Sequence, residues 1–374
     1  MGGSVEVRNQ FQRALAGEPL RVPPIWLMRQ AGRYHRPYQE LRKKHGFEEL
    51  CRVPELAAEV AMGPIHDFDF DAAILFSDLL FPLEALGMSL SYDEGPPKLD
   101  GPLDRERIAR FRSLDEAAAR LQFQPDAVAL TRRRLPPEKG LIGFVGGPWT
   151  LFVYATEGSH AGAMRMAKSS WPLYRDFAAR VVPLLRNCIA KQLEAGADVV
   201  MILDTAAGEL PPSYFHREVA VDLTSLAETF AGRVGYYAKA AHPAHFDGAM
   251  ATAKWAGFGV DSRWDLASLL AVPRRGFVQG NFDPAWLFLP EPDLAAALSG
   301  FLEPIAALGE QQRRGWICGL GHGVLPGTLN SQTLDPACGP QIQRDNAEAN
   351  IRHALSFSFG FGGSNCVLVF GADR

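Results

Sequence analysis

Short apolar runs recur along the chain at a spacing that suits alternating strands and helices. They occupy residues 24–28 (PIWLM), 72–76 (AAILF), 141–145 (LIGFV), 199–203 (VVMIL), 234–238 (VGYYA), 257–260 (GFGV), 276–279 (GFVQ) and 316–320 (WICGL). Several are continuously apolar rather than alternating, as parallel strands buried on both faces are. Helical periodicity lies between them. The clearest case is 175–195, where Phe177, Val181, Leu184, Leu185, Ile189 and Leu193 fall on one face. Ala195-Gly196-Ala197-Asp198 then ends that helix and opens a strand. Residues 55–62 and 223–231 read similarly. Eight strands alternating with helices predict a (β/α)8 TIM barrel. The run at 257–260 is short, and the fifth to seventh runs are closely spaced. The alternative, a doubly wound open sheet, would carry a glycine-rich nucleotide loop after its first strand. The first run is followed instead by Arg29-Gln30-Ala31-Gly32-Arg33-Tyr34.

Composition narrows the class. The chain has 374 residues, 47% of them hydrophobic, enough for a large core and too many for a disordered chain. Its net charge of −4 gives no basic excess for nucleic acid. The five cysteines, at 51, 188, 318, 338 and 366, are scattered and form no Cys-x-x-Cys pair, which fits a reducing compartment. The first residues are polar rather than a signal core, and Glu6 stands where a myristoylation signal wants Ser or Thr. No run of 18 apolar residues offers a membrane span. These features predict a cytoplasmic protein with neither nucleic-acid nor membrane partners.

In a barrel the chemistry sits at the C-terminal ends of the strands. Arg29 and Arg33 follow the first run, and Asp78 the second. Gly146-Gly147-Pro148-Trp149-Thr150 with Tyr154 follows the third, Asp204 and Thr205 the fourth. Lys239, His242 and His245 follow the fifth, Asn281 and Asp283 the seventh, and Gly321-His322-Gly323 the eighth. Each has a plain structural alternative. Loop arginines are usually solvated, although a pair four residues apart around Gln-Ala-Gly suits a bidentate clamp for anions. Asp78 or Thr205 alone serves as well as a helix cap. Tyr154 alone serves as a packing residue with a hydrogen-bonded tip. His242-x-x-His245 offers two metal ligands with no carboxylate or cysteine at ligand spacing, and Cys318 stands four residues before His322. A zinc site from these ranks below ordinary structural roles. Serine-hydrolase, zincin and phosphate-loop motifs are absent.

Taken in order, the motifs resemble the uroporphyrinogen decarboxylase family. They are PIWLMRQAGRY (24–34), DAAILFSD (71–78), GFVGGPWT (143–150) with Tyr154, QGNFDP (279–284) and LGHG (320–323), and the resemblance spans about 8–328. It implies a (β/α)8 enzyme of haem biosynthesis that needs no cofactor or metal and forms a homodimer. Such an enzyme converts the four acetate side chains of uroporphyrinogen III to methyls, giving coproporphyrinogen III. The motif positions carried over imply catalytic roles for Asp78, Arg29 and Arg33. They imply substrate contacts at Arg29, Gln30, Ala31, Arg33, Asp78, Tyr154, Thr205 and His322. The aspartate would bind the pyrrole N–H groups, and Thr205 keeps the hydroxyl of the family's serine. Two readings compete with this one. One is a zinc- and cobamide-dependent methyltransferase of the same fold, which needs a His-x-Cys pair and a later Cys. The other is a tetrapyrrole carrier without turnover.

The chain departs from the family pattern in places. Cys318-Gly319 replaces the usual small residue and asparagine, Val260-Asp261-Ser262-Arg263-Trp264 interrupts an Asp-Trp pair, and the surroundings of His242 differ. The barrel is expected over 1–328. The tail at 329–374 resembles the end of a β-ketoacyl synthase, through its Gly-Phe-Gly-Gly-Ser-Asn loop, without that family's nucleophile or catalytic histidines. It is expected to be no independent domain, with a short helix at 346–355 and a loosely docked stretch after Phe357.

Overall fold

The computed structural model describes residues 8–28, 30–32, 35–92, 97–160 and 162–320, together with the backbone of two later strands at 353–360 and 364–371. Its centre is a curled sheet of seven parallel strands. In chain order the strands are β1 (Ala72–Ile74), β2 (Leu90–Ser91), β3 (Lys98–Leu99), β4 (Gly140–Gly146), β5 (Val199–Leu203), β6 (Val234–Tyr237), β7 (Gly257–Gly259), β8 (Phe277–Phe282) and β9 (Trp316–Leu320). The sheet runs β1-β4-β5-β6-β7-β8-β9, and β2 and β3 make a separate antiparallel ribbon. Every residue of β4 is buried, because lumen side chains cover one face and helices the other.

The first apolar run closes the barrel without becoming a regular strand. Ile25 bridges Cys318 in parallel, the Trp26 N–H donates to the Cys318 carbonyl (3.0 Å), and the Cys318 N–H donates to that of Pro24 (2.9 Å). On its other side the Asp71 N–H donates to the Ile25 carbonyl (3.1 Å). The segment therefore lies between β9 and the start of β1, in the place of the expected first strand. Its sequence explains the shortfall. Pro23 and Pro24 have no N–H to give, and the Ile25 N–H donates to the Asp71 carboxylate (2.7 Å) instead of a ladder carbonyl.

The outer helices follow the apolar periodicity. The longest, Trp171–Glu194, starts one turn before the expected position because Pro172 suits a helix's first turn. Phe177, Val181, Leu184, Leu185 and Ile189 are all wholly buried along it. The expected 55–62 and 223–231 helices are Pro54–Phe68 and Ala220–Thr229. No helix among the described residues is long and apolar enough to cross a membrane.

The tail departs from expectation. Strands β10 (His353–Gly360) and β11 (Ser364–Gly371) pair antiparallel, with His353 opposite Gly371 and Gly360 opposite Ser364. Residues 353–355, expected to end a helix, are therefore extended, and residues 358–360 pair with 364–366. The alternation Leu355-Ser356-Phe357-Ser358-Phe359 has the period of a strand. The rest of the expected helix, 346–352, lies outside the described residues.

Candidate active site

Three of the predicted site residues come from three neighbouring strands. Asp78 follows β1, Tyr154 sits on the helix Pro148–Glu157 after β4, and Thr205 follows β5. These strands are adjacent in the sheet. Small residues let their ends converge. A Cβ on Gly146 would come within 3.1 Å of the Leu79 carbonyl oxygen, and one on Gly147 within 2.2 Å of the Asp204 carboxyl carbon. The Gly-Gly of the Gly-Gly-Pro-Trp-Thr motif is thus the point where the β1, β4 and β5 ends meet.

Asp78 is half-buried. Its Oδ1 accepts the Leu80 N–H at 2.8 Å, which fixes the turn into the helix Phe81–Leu86. It is not that helix's N-cap; Leu80 is. Preceding it, the Ser77 hydroxyl accepts from Gln124 Nε2 (2.9 Å). Two neighbours feel the Asp78 carboxylate, the buried Cys51 and the half-buried Tyr92. Burial first, and the Asp78 charge second, raise the pKa of the Tyr92 hydroxyl and of the Cys51 thiol. Both shifts favour the neutral forms of Tyr92 and Cys51.

Around Asp78 the other expected residues divide. Gln30 is wholly buried, and its Nε2 donates to the Ala72 carbonyl (2.8 Å), tying the arginine-bearing loop to β1. Ala31 is half-buried and packs against the cluster of Tyr38, Leu50 and Val60. The Tyr154 hydroxyl hydrogen-bonds His160 Nδ1 at 2.7 Å, a partner that sequence reading did not single out. Thr205 is 9% exposed and caps no helix; Ala206 precedes the short 3-10 turn Ala207–Glu209. Arg29, Arg33 and His322 lie outside the described residues.

Asp204 was noted in the sequence only as a strand-end residue, but its carboxylate is held by several hydrogen bonds. It is fully buried. Its Oδ1 accepts both the backbone N–H (2.8 Å) and the hydroxyl (2.7 Å) of Thr150, while the Tyr236 hydroxyl approaches Oδ2 at 3.5 Å. The Thr150 hydroxyl in turn accepts the Ala206 N–H (3.0 Å). Gly147, the N-cap of the helix Pro148–Glu157, has no side chain to cap with. Asp204 supplies the missing acceptor from the next strand. Burial outweighs these hydrogen bonds and pushes its pKa up to about 6.

The candidate metal ligands are engaged otherwise. His245 is buried; its Nδ1 faces the His242 backbone and its Nε2 the Leu210 carbonyl (2.9 Å). Burial lowers its pKa. Cys318 packs on the outer face of the sheet with Val260, Leu270 and Trp316, and burial pushes its thiol up to about 12. Among the described residues no three His, Cys, Asp or Glu side chains form a group able to hold a metal ion.

Asp261, after β7, is buried. Its carboxylate accepts the Ala240 N–H (2.7 Å) and pairs with Arg263, while the Trp264 indole donates to the Ala241 carbonyl (3.0 Å). The altered Asp-x-x-Trp stretch thus latches the β6 and β7 ends together.

A closed parallel barrel with an acidic residue and hydroxyls at the strand C-termini has the build of a (β/α)8 enzyme. Residues 7–333 match the family model described as uroporphyrinogen decarboxylase (URO-D), and the chain belongs to that family. It is 36% identical over 341 residues to the uroporphyrinogen decarboxylase of Chloroflexus aurantiacus, covering 86% of this chain and 92% of that one. The Acidiphilium cryptum uroporphyrinogen decarboxylase is 38% identical over 338 residues, covering 84% and 89%. In solved structures, a methyltransferase from Methanosarcina mazei superposes with a TM-score of 0.63 at 19% identity, over 84% of this chain and 93% of that one. That likeness is one of fold.

Proposed function

We propose that this protein is a carboxy-lyase that converts uroporphyrinogen III to coproporphyrinogen III, removing the carboxyl groups of four acetate side chains. The observation that carries the reading is Asp78. It is a half-buried carboxylate beside the neutral Tyr92 and Cys51, at a barrel mouth, in a chain of this family.

Losing CO2 from an acetate pushes an electron pair toward the pyrrole. The ring accepts that pair only after a proton has been added to ring carbon, which makes it cationic. Asp78 accepts the pyrrole N–H groups and stabilises the cation where little water competes. When the C–C bond breaks, CO2 leaves and its bonding electrons neutralise the ring. A proton taken up at the exocyclic carbon completes the methyl, and the proton first added to the ring is returned. Arg29 and Arg33 pair with the substrate's carboxylates, for which guanidinium geometry is suited. Tyr154 and Thr205 supply hydroxyl donors, and His322 completes the rim. No cofactor or metal enters this scheme. Residues 1–328 carry the activity, 329–374 stand outside it, and two barrels associate as a homodimer, which sedimentation would test.

The activity is tested by anaerobic incubation with uroporphyrinogen III and chromatography of the oxidised products. A four-carboxylate product is expected. Recovery of only eight-carboxylate material would overturn the proposal.

A further inference from the structure

We infer that Asp204 is a positioning residue, the joint that holds Tyr154 and Thr205 in one register at the barrel mouth. The inference deepens the proposed function and rests on it for its kinetic readout.

Tyr154 and Thr205 belong to different strand ends, whose ladder stops with Gly146 opposite Leu203 and the Gly147 N–H donating to the Leu203 carbonyl (2.9 Å). Asp204 carries the link beyond that last rung. It immediately precedes Thr205, its N–H donates to the Tyr237 carbonyl of β6 (2.8 Å), and its carbonyl accepts the Ala207 N–H (2.9 Å). The Thr205 backbone therefore follows the placement of Asp204. The same residue's carboxylate holds the first turn of the helix carrying Tyr154, through both Thr150 donors. Thr150 returns the link through the Ala206 N–H, so the two segments are bonded in both directions. Gly147 permits this contact, because any Cβ there would overlap the carboxyl group. Asp204 is fully buried and touches solvent nowhere, so it acts through its neighbours and not on the substrate.

Chemistry separates this role from general support. An amide is close in shape to a carboxylate. Asp204→Asn keeps an Oδ1 acceptor for both Thr150 donors and turns its NH2 toward the Tyr236 hydroxyl, so the joint survives. Asp204→Ala leaves both donors without their acceptor and frees the helix start.

The experiment measures kcat and KM for uroporphyrinogen decarboxylation, and separately the affinity for uroporphyrin, a stable octacarboxylate. Near-UV circular dichroism monitors the fold. Asp204→Asn is expected within about threefold of wild type, and Asp204→Ala is expected to lose about 30-fold or more in kcat/KM. In a Tyr154→Phe/Thr205→Ala background, Asp204→Ala is expected to add less than about threefold, because the groups it positions are already gone. A full loss in that background, a wild-type-like Asp204→Ala, or an Asp204→Asn as damaged as the alanine variant would each overturn the inference. If wild-type protein binds uroporphyrin without releasing CO2, the proposed function fails while the same cycle, read in affinity, still decides the role of Asp204. A barrel that neither binds nor turns over removes both.

Discussion

Replacing Asp204 with Asn should stabilise the protein increasingly as pH rises. In an unfolded chain an aspartate titrates near about 3.9, whereas burial pushes Asp204 up to about 6 in the fold. The folded state therefore holds this proton more tightly than the unfolded one. The stability this group contributes is complete below about pH 4 and is lost as pH rises through about 6. A difference of about two pKa units, at about 1.4 kcal/mol each, makes the loss about 3 kcal/mol. The asparagine does not titrate and keeps the acceptor for Thr150. The stability of the variant relative to wild type should thus move by about 3 kcal/mol in its favour between pH 4 and pH 8. The assay is urea or thermal unfolding of both proteins at intervals of half a pH unit. A difference that stays flat, or that favours the variant more strongly in acid, would show that the carboxyl group is not held near its neutral form.

Other expectations follow from the same geometry. Asp78→Asn should cut turnover about 10²–10³-fold while leaving Tm nearly unchanged, since its amide oxygen still accepts the Leu80 N–H; near-normal turnover would remove Asp78 from the mechanism. Arg29→Lys and Arg33→Lys should each lose kcat/KM in a folded protein, because an ammonium cannot reproduce a bidentate guanidinium pair; wild-type kinetics in both would misplace the site. Gly319→Ala should cost about 1–3 kcal/mol in unfolding experiments, because its Cβ would sit 2.4 Å from both Gln279 Nε2 and the Trp26 carbonyl oxygen. Cys318 is half-buried and desolvation pushes its thiol up to about 12, so at pH 8 it should react with maleimide more slowly in the folded than in the denatured protein; equal labelling of its peptide by mass spectrometry would show otherwise.

Most of the barrel was legible because parallel strands need continuous apolar runs. The runs at 199–203 and 316–320 coincide with β5 and β9, and the helix pattern from Phe177 to Ile189 marks a wholly buried face. The first run was harder. Its apolar content is that of a strand, yet two prolines and the Asp71 carboxylate reduce it to a bridge, and that substitution of partners is visible only in space. Asp78 could be placed at a strand end from sequence, but not its turn with Leu80 or its neighbours Tyr92 and Cys51. Asp204 was missed as a structural joint because its partner Thr150 lies 54 residues away. The signal that could have exposed it was Gly147, whose bare backbone at a helix start calls for an acceptor from elsewhere. His242-x-x-His245 looked like a ligand fragment, but His245 uses its ring to fasten Leu210 and the His242 backbone. In the tail only the helix end at 353–355 was misplaced, and the pairing that extends it, His353 with Gly371, is visible only in space.

The claim on which the account depends is that this barrel breaks four acetate C–C bonds per tetrapyrrole with Asp78 at the centre. The most direct measurement uses uroporphyrinogen III labelled in the acetate carboxyls, incubated anaerobically with the full chain, with released labelled CO2 counted against product. The account predicts four labelled CO2 per coproporphyrinogen formed, with release slowed about 10²–10³-fold in Asp78→Asn. No release from the wild-type protein, or an undiminished rate in the Asp78 variant, would contradict it.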